Sequence, residues 1–273
     1  MNKVVLFDGM NLIHRARTGF AKGPHALTFS FFRGLKPLME KFKPDIAYFV
    51  LEGRPKHRNT VMEDYKANRP KAPDGFWRQQ GEILQVMHCL PIVQIRHPDY
   101  ECDDVIANLA KHYTEAGDDV TIVSNDSDFI QVFDNMPVER LRIWNPMKKH
   151  FVQNPDYNYL EWKSLKGDSC DSIPGIKGIG DKTATKLIHD RAQMEAVLSE
   201  KNHREIFNRN KKLIAFHWFD NTADDLQHAG AEVIYPEVSL DNVYSFFQEF
   251  GFSSLLKESY WSKFKKAFSQ VGA

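Results

Sequence analysis

The chain of 273 residues is poor in cysteine, has no net charge and contains no apolar run long enough to cross a membrane. Its three cysteines, Cys89, Cys102 and Cys170, are too few and too scattered for a disulfide framework or a zinc knuckle. A strand-like segment begins almost at Met1, which leaves no room for a signal peptide and predicts a cytoplasmic protein. The hydrophobic content of 42% is sufficient for a sizeable core.

The charges balance at 36 basic and 36 acidic residues, which argues against a simple nucleic-acid binder with a basic surface overall. A polyanionic partner is compatible with this balance only if the charges are segregated, with carboxylates gathered at one place and cations around them. The positions of the acids along the chain therefore decide which function classes remain.

Three apolar runs without alternation, at residues 4–7, 46–51 and 120–123, are typical of strands buried on both faces of a parallel sheet. Helical patterns between them, such as residues 29–42 and 105–113, predict an α/β fold. Sites in open α/β sheets lie beyond the carboxyl ends of the strands. Each run leads directly into acids, which we expect to converge on one edge of the sheet: Asp8, Glu52, Asp126 and Asp128.

A fourth acidic group, Glu101, Asp103 and Asp104, lies at the predicted N-terminus of the helix that begins near Val105. Taken alone, such acids cap a helix and complement its dipole. Four acidic groups at strand ends and a helix start instead indicate a shared site, because crowded carboxylates repel one another unless cations neutralise them. The ligands are all oxygens, so the predicted ions are Mg²⁺ or Mn²⁺ rather than zinc.

Residues 167–184 combine two acids with a glycine-rich turn. Asp168 and Asp171 are three positions apart and share one face if the segment is helical. The glycines then form a turn into a predicted helix over residues 182–188, whose first amides suit a phosphate. The alternative is a helix hairpin that needs glycine only for its turn. The predicted phosphate contacts are Gly175, Lys177, Gly178, Gly180, Lys182 and Thr183.

A basic stretch follows the second predicted strand and extends to Arg78. Most such stretches are solvated faces. This one begins at the acidic edge, where cations suit a polyanionic substrate. Arg58, Lys71 and Arg78 are therefore candidate nucleic-acid contacts.

Five segments resemble, in order, motifs of the flap endonuclease and 5′-3′ exonuclease superfamily, which includes bacteriophage 5′ nucleases and the 5′-nuclease domain of bacterial DNA polymerase. They spread over residues 4–190 and are Phe7-Asp8-Gly9-Met10-Asn11, Asp64-Tyr65-Lys66-Ala67-Asn68-Arg69-Pro70, Glu101-Cys102-Asp103-Asp104, Ser124-Asn125-Asp126-Ser127-Asp128 and Gly167 to Ala184. The resemblance implies a PIN-like nuclease core over residues 1–163, with an arch over about 66–95. A helix-hairpin-helix module and C-terminal helices packed on the core would follow over residues 164–273.

The resemblance also implies roles for particular side chains. Lys66 and Arg69 would contact the scissile phosphate, and Tyr65 would stack on a base or pack beneath the arch. Glu52 stands where the family usually has Asp, which leaves ligand geometry there open. A K⁺ ion is implied at the hairpin. The implied Mg²⁺ ligands are Asp8, Glu101, Asp103, Asp104, Asp126 and Asp128 for the first metal, and Asp168 and Asp171 near the second.

The activity that the resemblance implies is hydrolysis of DNA phosphodiesters by two Mg²⁺ ions, with Mn²⁺ as a substitute, in replication or repair. The implied substrates are DNA 5′ ends, 5′ flaps and branched junctions. Two alternatives stay open: a 5′ nuclease acting mainly on the RNA of RNA–DNA hybrids, and a DNA-binding scaffold without turnover.

Residues 201–212 predict a helix followed by a surface turn.

Overall fold

A computed structural model of the chain describes residues 1–219, 230–269 and 271. Its described part is built around a seven-stranded sheet, with a separate pair of two-residue strands near the predicted glycine turn. The strands are β1 (Lys3–Asp8), β2 (Ile46–Leu51), β3 (Val93–Arg96), β4 (Asp119–Val123), β5 (Leu141–Asn145), β6 (His150–Phe151), β7 (Gly167–Asp168), β8 (Ile173–Pro174) and β9 (Glu232–Ile234).

The central sheet has the order β6-β5-β4-β1-β2-β3-β9. Its five inner strands are parallel, with β1 between β2 and β4, and the two edge strands β6 and β9 are antiparallel to their neighbours. This arrangement confirms the predicted α/β class and the three strands read from the sequence. The sequence reading missed β3, β5, β6 and β9, which are shorter or more polar than the central strands.

Helices cover both faces of the sheet. Along β1, Val5 and Phe7 face one layer whereas Val4 and Leu6 face the other, because successive strand residues point to opposite faces. The helices are α1 (Gly9–Ala16), α2 (Ala26–Phe42), α3 (Lys56–Val61), α4 (Phe76–His88), α5 (Cys102–Glu115), α6 (Tyr159–Lys166), α7 (Asp181–His189), α8 (Arg191–Leu198), α9 (Lys201–Ile214), α10 (Leu240–Glu249), α11 (Ser253–Leu256) and α12 (Glu258–Phe268), with 3₁₀ segments at Ser127–Asp134 and Ser169–Asp171.

The segment from α6 to α9 has its own small core, formed by Leu165, Ile176, Ala184, Leu187, Met194, Leu198 and Phe207. Helix α9 continues to Ile214, so the surface turn predicted near residue 212 is wrong. The apolar face of α9 continues to the C-terminal end of the helix, where Leu213 and Ile214 are buried. This burial extends the helix past the run of cations.

The C-terminal helices join the larger core of the sheet. Phe247 of α10 packs against Phe32 of α2 at a ring-centroid distance of 5.3 Å and against Phe264 of α12 at 5.6 Å. Strand β9 also comes from this part of the chain and pairs with β3. Residues beyond 163 therefore contribute to the same sheet and core as those before it.

The predicted arch over about 66–95 needs correction. Helix α4 buries Phe76, Ile83, Val86 and Met87 in the core of the sheet, and β3 begins at Val93. The spacing of these apolar residues gives α4 a face that needs covering, so the helix lies on the body of the protein. Residues 67–75 are mostly exposed and contain turns and no helix. No helix among the described residues is long and apolar enough to span a membrane.

Because α10 belongs to the main core, we expect Phe247→Ala to lower the free energy of unfolding by about 3–5 kcal/mol, measured by urea denaturation. Phe246→Ala on the same helix, whose ring is only partly buried, is the matched control and has a smaller effect. A separate early transition caused by Phe247→Ala, with the main transition unchanged, would show that the C-terminal helices unfold independently.

Candidate active site

Asp8 ends β1 and lies at the centre of the carboxyl edge of the sheet, between the ends of β2 and β4. Its Oδ1 accepts the Asn11 N–H at 3.0 Å, so it also caps α1, and its Oδ2 accepts the Ser124 hydroxyl at 2.7 Å. Burial raises the pKa of Asp8 to about 7, and the nearby Asp126 carboxylate adds to this rise. A buried carboxylate with this pKa favours either a proton or a cation beside it.

Asp103, in the first turn of α5, faces Asp8 across the edge. One ligand atom each from Asp8, Asp103 and Cys102 lie within 4.8 Å of one another. Burial raises the pKa of Asp103 well above its usual value, and Asp126 and Asp8 raise it further. Within the described ranges, four acids at this edge form no salt bridge, and we call them the first acid group: Asp8, Glu52, Asp103 and Asp126.

Glu52 is accommodated in the first acid group despite its extra methylene. It follows β2, and its Oε2 accepts the N–H of Cys102 at 3.3 Å. Burial and the nearby Glu101 raise its pKa. The position that departs from the family pattern therefore still presents a carboxylate at the same edge.

The second acid group consists of Asp128, Asp168 and Asp171, which also bring ligand atoms within 4.8 Å of one another. The structure corrects the expectation that Asp168 and Asp171 share the face of an α-helix. Asp168 ends β7 and accepts the Cys170 N–H at 2.9 Å, and the 3₁₀ segment Ser169–Asp171 turns the second acid toward the first.

Lys163 of α6 is the buried cation of the second acid group. Only 5% of its surface is exposed, and its ammonium contacts the Asp128 carboxylate and Asp168 Oδ2, the latter at 2.6 Å. Burial works to lower the pKa of Lys163, but Asp128 raises it above its usual value, so the side chain stays charged. Burial nevertheless raises the pKa of Asp128 to about 6, whereas for Asp168 the attraction of Lys163 outweighs burial and the pKa falls.

Lys66 and Arg69 lie between the acids of α5 and the second acid group. Lys66 Nζ contacts Glu101 and lies 3.7 Å from Asp171 Oδ2, and Arg69 Nη2 donates to Asp171 Oδ1 at 2.7 Å. Lys66 has a left-handed backbone with φ of 58°, held by its N–H donating to the Asp171 carbonyl at 3.0 Å. Tyr65 is buried beneath them and donates to Glu101 Oε2 at 3.0 Å, which leaves no ring face for stacking on a base.

Arg58 and Asp104 have structural roles, which corrects two predictions. Arg58 is 2% exposed and makes a two-bond contact with Asp104, both bonds at 2.7 Å, so it is not available to nucleic acid. Asp104 is fully buried and also accepts the His217 N–H at 2.8 Å, so both oxygens face away from the first acid group. Glu101 accepts from Arg58 as well, at 2.7 Å, and so shares in this ion pair.

The glycine turn leads into α7 as expected, but its glycines differ in role. A Cβ on Gly175 would lie 2.0 Å from the Lys166 carbonyl, so Gly175 is required for close packing of β8 against the end of α6. Gly178, with φ of 84°, and Gly180 face open space at the N-terminus of α7. The neighbouring side chains are exposed, namely Lys177, Lys182 and Thr183.

Lys71 is exposed on the segment 66–75, and Arg78 of α4 is half-exposed and paired with Glu82. Sequence reasoning missed Lys163, Ser124 and Cys102. Ser124 and Cys102 lie inside quoted motifs but were given no role, and Lys163 has no signal beyond its position five residues before Asp168.

Two family models match the chain. The 5′-3′ exonuclease N-terminal, resolvase-like domain matches residues 3–159, and the 5′-3′ exonuclease C-terminal SAM fold matches residues 154–222. The chain belongs to the 5′-3′ exonuclease family. The two matches overlap over residues 154–159, up to the start of α6, which carries Lys163.

The sequence relatives agree with this membership. A 5′-3′ exonuclease of Aquifex aeolicus is 32% identical over 231 residues, which is 78% of this chain and 78% of the relative. DNA polymerase I of Caldicellulosiruptor bescii is 30% identical over 218 residues, which is 71% of this chain and 25% of the relative. The chain thus spans about a quarter of the length of the DNA polymerase I relatives.

Solved structures share the fold at low sequence identity. The flap endonuclease of bacteriophage T5, in a complex with DNA and metal ions, is 16% identical with a TM-score of 0.64 over 99% of both chains. The catalytic core of Rad2 in complex with a DNA substrate is 17% identical with a TM-score of 0.53, over 91% of this chain and 86% of that one.

We expect Arg58→Met to lower the free energy of unfolding by about 3–5 kcal/mol, because it leaves Asp104 buried without its counter-charge. The exposed Arg54→Met, four positions away, should change the unfolding free energy by less than about 0.5 kcal/mol. Unchanged stability combined with weakened DNA affinity in Arg58→Met would restore Arg58 as a nucleic-acid contact.

The raised pKa values of Asp8 and Asp128 predict a pH-dependent stability without divalent ions. A carboxyl group whose pKa is higher in the folded state stabilises the fold below its unfolded pKa near 4, and this contribution is lost as the pH rises through about 6 to 7. In EDTA, the melting temperature should therefore fall between about pH 5.5 and pH 8.

Added Mg²⁺ should raise the melting temperature by several degrees at the higher pH and much less at the lower one, because it binds the deprotonated acids. Asp103→Asn removes one of these charges, so both the fall of the melting temperature with pH and its rise with Mg²⁺ should be smaller in this variant. An equal Mg²⁺ effect at both pH values would contradict titration of these acids.

Proposed function

We propose that the protein is a Mg²⁺-dependent 5′ nuclease that hydrolyses DNA phosphodiesters at 5′ ends, 5′ flaps and branched junctions. The observation that carries this proposal is the pair of acid groups at one sheet edge, with Lys66 and Arg69 next to them. A cleft of about 720 Å³ lies beside the second group and is lined by Asp126, Asp128, Lys163, Asp168 and Arg69, among others.

The residues fit divalent ions by their donor chemistry. The first acid group offers carboxylates that form no salt bridge among the described residues, and the pKa of Asp8 and Asp103 is raised, as expected for acids that need a positive charge. Oxygen donors of this kind suit Mg²⁺, with Mn²⁺ as a substitute. When bound, such ions activate water and stabilise the leaving oxygen in phosphodiester hydrolysis.

The chain itself supplies the positioning of the phosphate. Lys66 and Arg69 place two fixed cations where charge develops on a phosphate lying over the acids, and fixed charges of this kind stabilise a transition state without reorganising. Glu101 holds the ammonium of Lys66 and Asp171 holds the guanidinium of Arg69, so both cations already lie at the edge before a phosphate binds. The mostly exposed segment 66–75 that carries them supports admission of a single strand at this point.

The glycine turn supports a grip on duplex DNA. Gly180 has no side chain to cap α7, so the first amides of this helix remain directed outward, and Lys177 and Lys182 lie beside them. We include in the proposal that these groups hold the phosphate backbone at a distance from the acids, with K⁺ as a candidate ion at the turn. Contacts of this kind read DNA shape and position rather than base sequence.

The substrate class is supported by the similar proteins. The T5 flap endonuclease and Rad2 were both solved with DNA, and the DNA polymerase I relatives favour a role in replication or repair. The scaffold alternative is supported only by the departure from the family pattern at Glu52, and the carboxylate of Glu52 still reaches the site. Hydrolysis of the RNA strand of an RNA–DNA hybrid would use the same site, so an experiment has to distinguish this substrate from a DNA flap.

The test is cleavage of a 5′-labelled DNA flap in Mg²⁺, in Mn²⁺ and in EDTA. We expect metal-dependent cleavage near the junction, lowered at least about a hundredfold by the double change Asp126→Ala, Asp128→Ala. Asp45→Ala is the matched control, since this exposed acid lies at the opposite end of β2 and should leave cleavage unchanged.

Tight flap binding without cleavage in either metal would overturn the nuclease proposal in favour of a scaffold. A parallel assay with the RNA strand of an RNA–DNA hybrid decides the substrate. Faster cleavage of the hybrid than of the DNA flap would replace the DNA assignment with the hybrid one.

A further inference from the structure

Lys163 occupies the place that an ion would take in the second acid group. Its ammonium lies between Asp128 and Asp168, in contact with the first and 2.6 Å from Oδ2 of the second. One ligand atom from each acid of the group lies within 4.8 Å of the others, which is the spacing of a single ion site. A divalent ion bound to the same oxygens at about 2.1 Å would overlap the ammonium.

We propose that Lys163 is a built-in counter-ion that holds the second acid group together in the absence of metal, and that a divalent ion enters there by displacing its ammonium. This inference rests on the proposed function only in taking the second acid group as metal ligands. Lys163 then acts as a positioning residue that sets how tightly the second ion binds.

The two acid groups differ in a way that supports the exchange. The four carboxylates of the first acid group form no salt bridge among the described residues, so an ion binds there without displacing a cation that is in direct contact with them. In the second, Lys163 contacts Asp128 and Asp168 while Arg69 and Lys66 contact Asp171. Ions should therefore load in order, the first group before the second.

The cleft gives the displaced side chain a destination. Lys163 lines the same opening of about 720 Å³ as Asp168 and Tyr159, and its four-carbon stem allows the head to move while the stem stays packed. After the exchange the ammonium faces the cleft in which the phosphate is proposed to lie. Entry of the second ion would thus release a cation toward the substrate.

The test is a Mn²⁺ titration followed by calorimetry and by electron paramagnetic resonance of free Mn²⁺. We expect one tighter and one weaker site in the unaltered protein, and a second site that tightens at least about tenfold in Lys163→Met, because a competing charge is gone. Lys163→Arg keeps the charge and should keep the weak site. Lys201→Met, which removes an exposed lysine of α9 paired with Glu205, is the control and should not change either affinity.

A second measurement uses the unaltered protein, in case Lys163→Met does not fold. Amine-reactive labelling read by mass spectrometry should modify Lys163 slowly in EDTA and several times faster in saturating Mn²⁺, with the exposed Lys201 as internal reference. Second-site affinity that is unchanged or weaker in Lys163→Met, or labelling that does not respond to Mn²⁺, would overturn the exchange.

Flap cleavage measured on the same samples separates this inference from the proposed function. Two bound ions with the expected exchange but no cleavage of DNA or hybrid would reject the nuclease and keep the exchange. Normal metal-dependent cleavage without the exchange would reject the exchange and keep the nuclease.

Discussion

The structure depends on one electrostatic constraint, the gathering of many carboxylates at the carboxyl edge of a single sheet. Parallel strands β1, β2 and β4 end side by side, so the acids that follow them cannot avoid one another. Burial strengthens their repulsion because little water separates them. Burial is the main cause of the raised pKa of Asp8, Asp103 and Asp128, and the neighbouring carboxylates raise it further.

The chain meets the constraint in two different ways. In the first acid group no carboxylate forms a salt bridge among the described residues, and Asp8 accepts hydrogen bonds only from the Ser124 hydroxyl, the Asn11 amide and the Cys102 thiol. In the second, Lys66, Arg69 and Lys163, from elements far apart in sequence, pair with the acids. The first arrangement favours an external ion, whereas the second is stable without one.

A separate buried ion pair holds the two halves of the site together. Arg58 follows β2, pairs with Asp104 of α5 and donates from Nε to the Leu213 carbonyl at 2.9 Å and from Nη2 to the Ala215 carbonyl at 3.0 Å. It thereby joins the sheet to the end of α9, the helix that packs on α6. The contact thus links α5, which carries Asp103, to the helices that carry Lys163 and lead into the second acid group.

The sequence by itself determined the α/β class, the central parallel strands and the edge at which the acids meet. Strand hydrophobicity and the rule for carboxyl ends are local signals, so Asp8, Glu52 and Asp126 were recognisable without coordinates. The tertiary structure decided which charges pair. Two neighbours on α5 point in different directions, since Asp103 faces the site while Asp104 faces Arg58. Lys163 contacts Asp128 and Asp168, which are 35 and 5 residues away in sequence. Pairing of this kind depends on side-chain direction and long-range packing, which spacing along a chain does not encode.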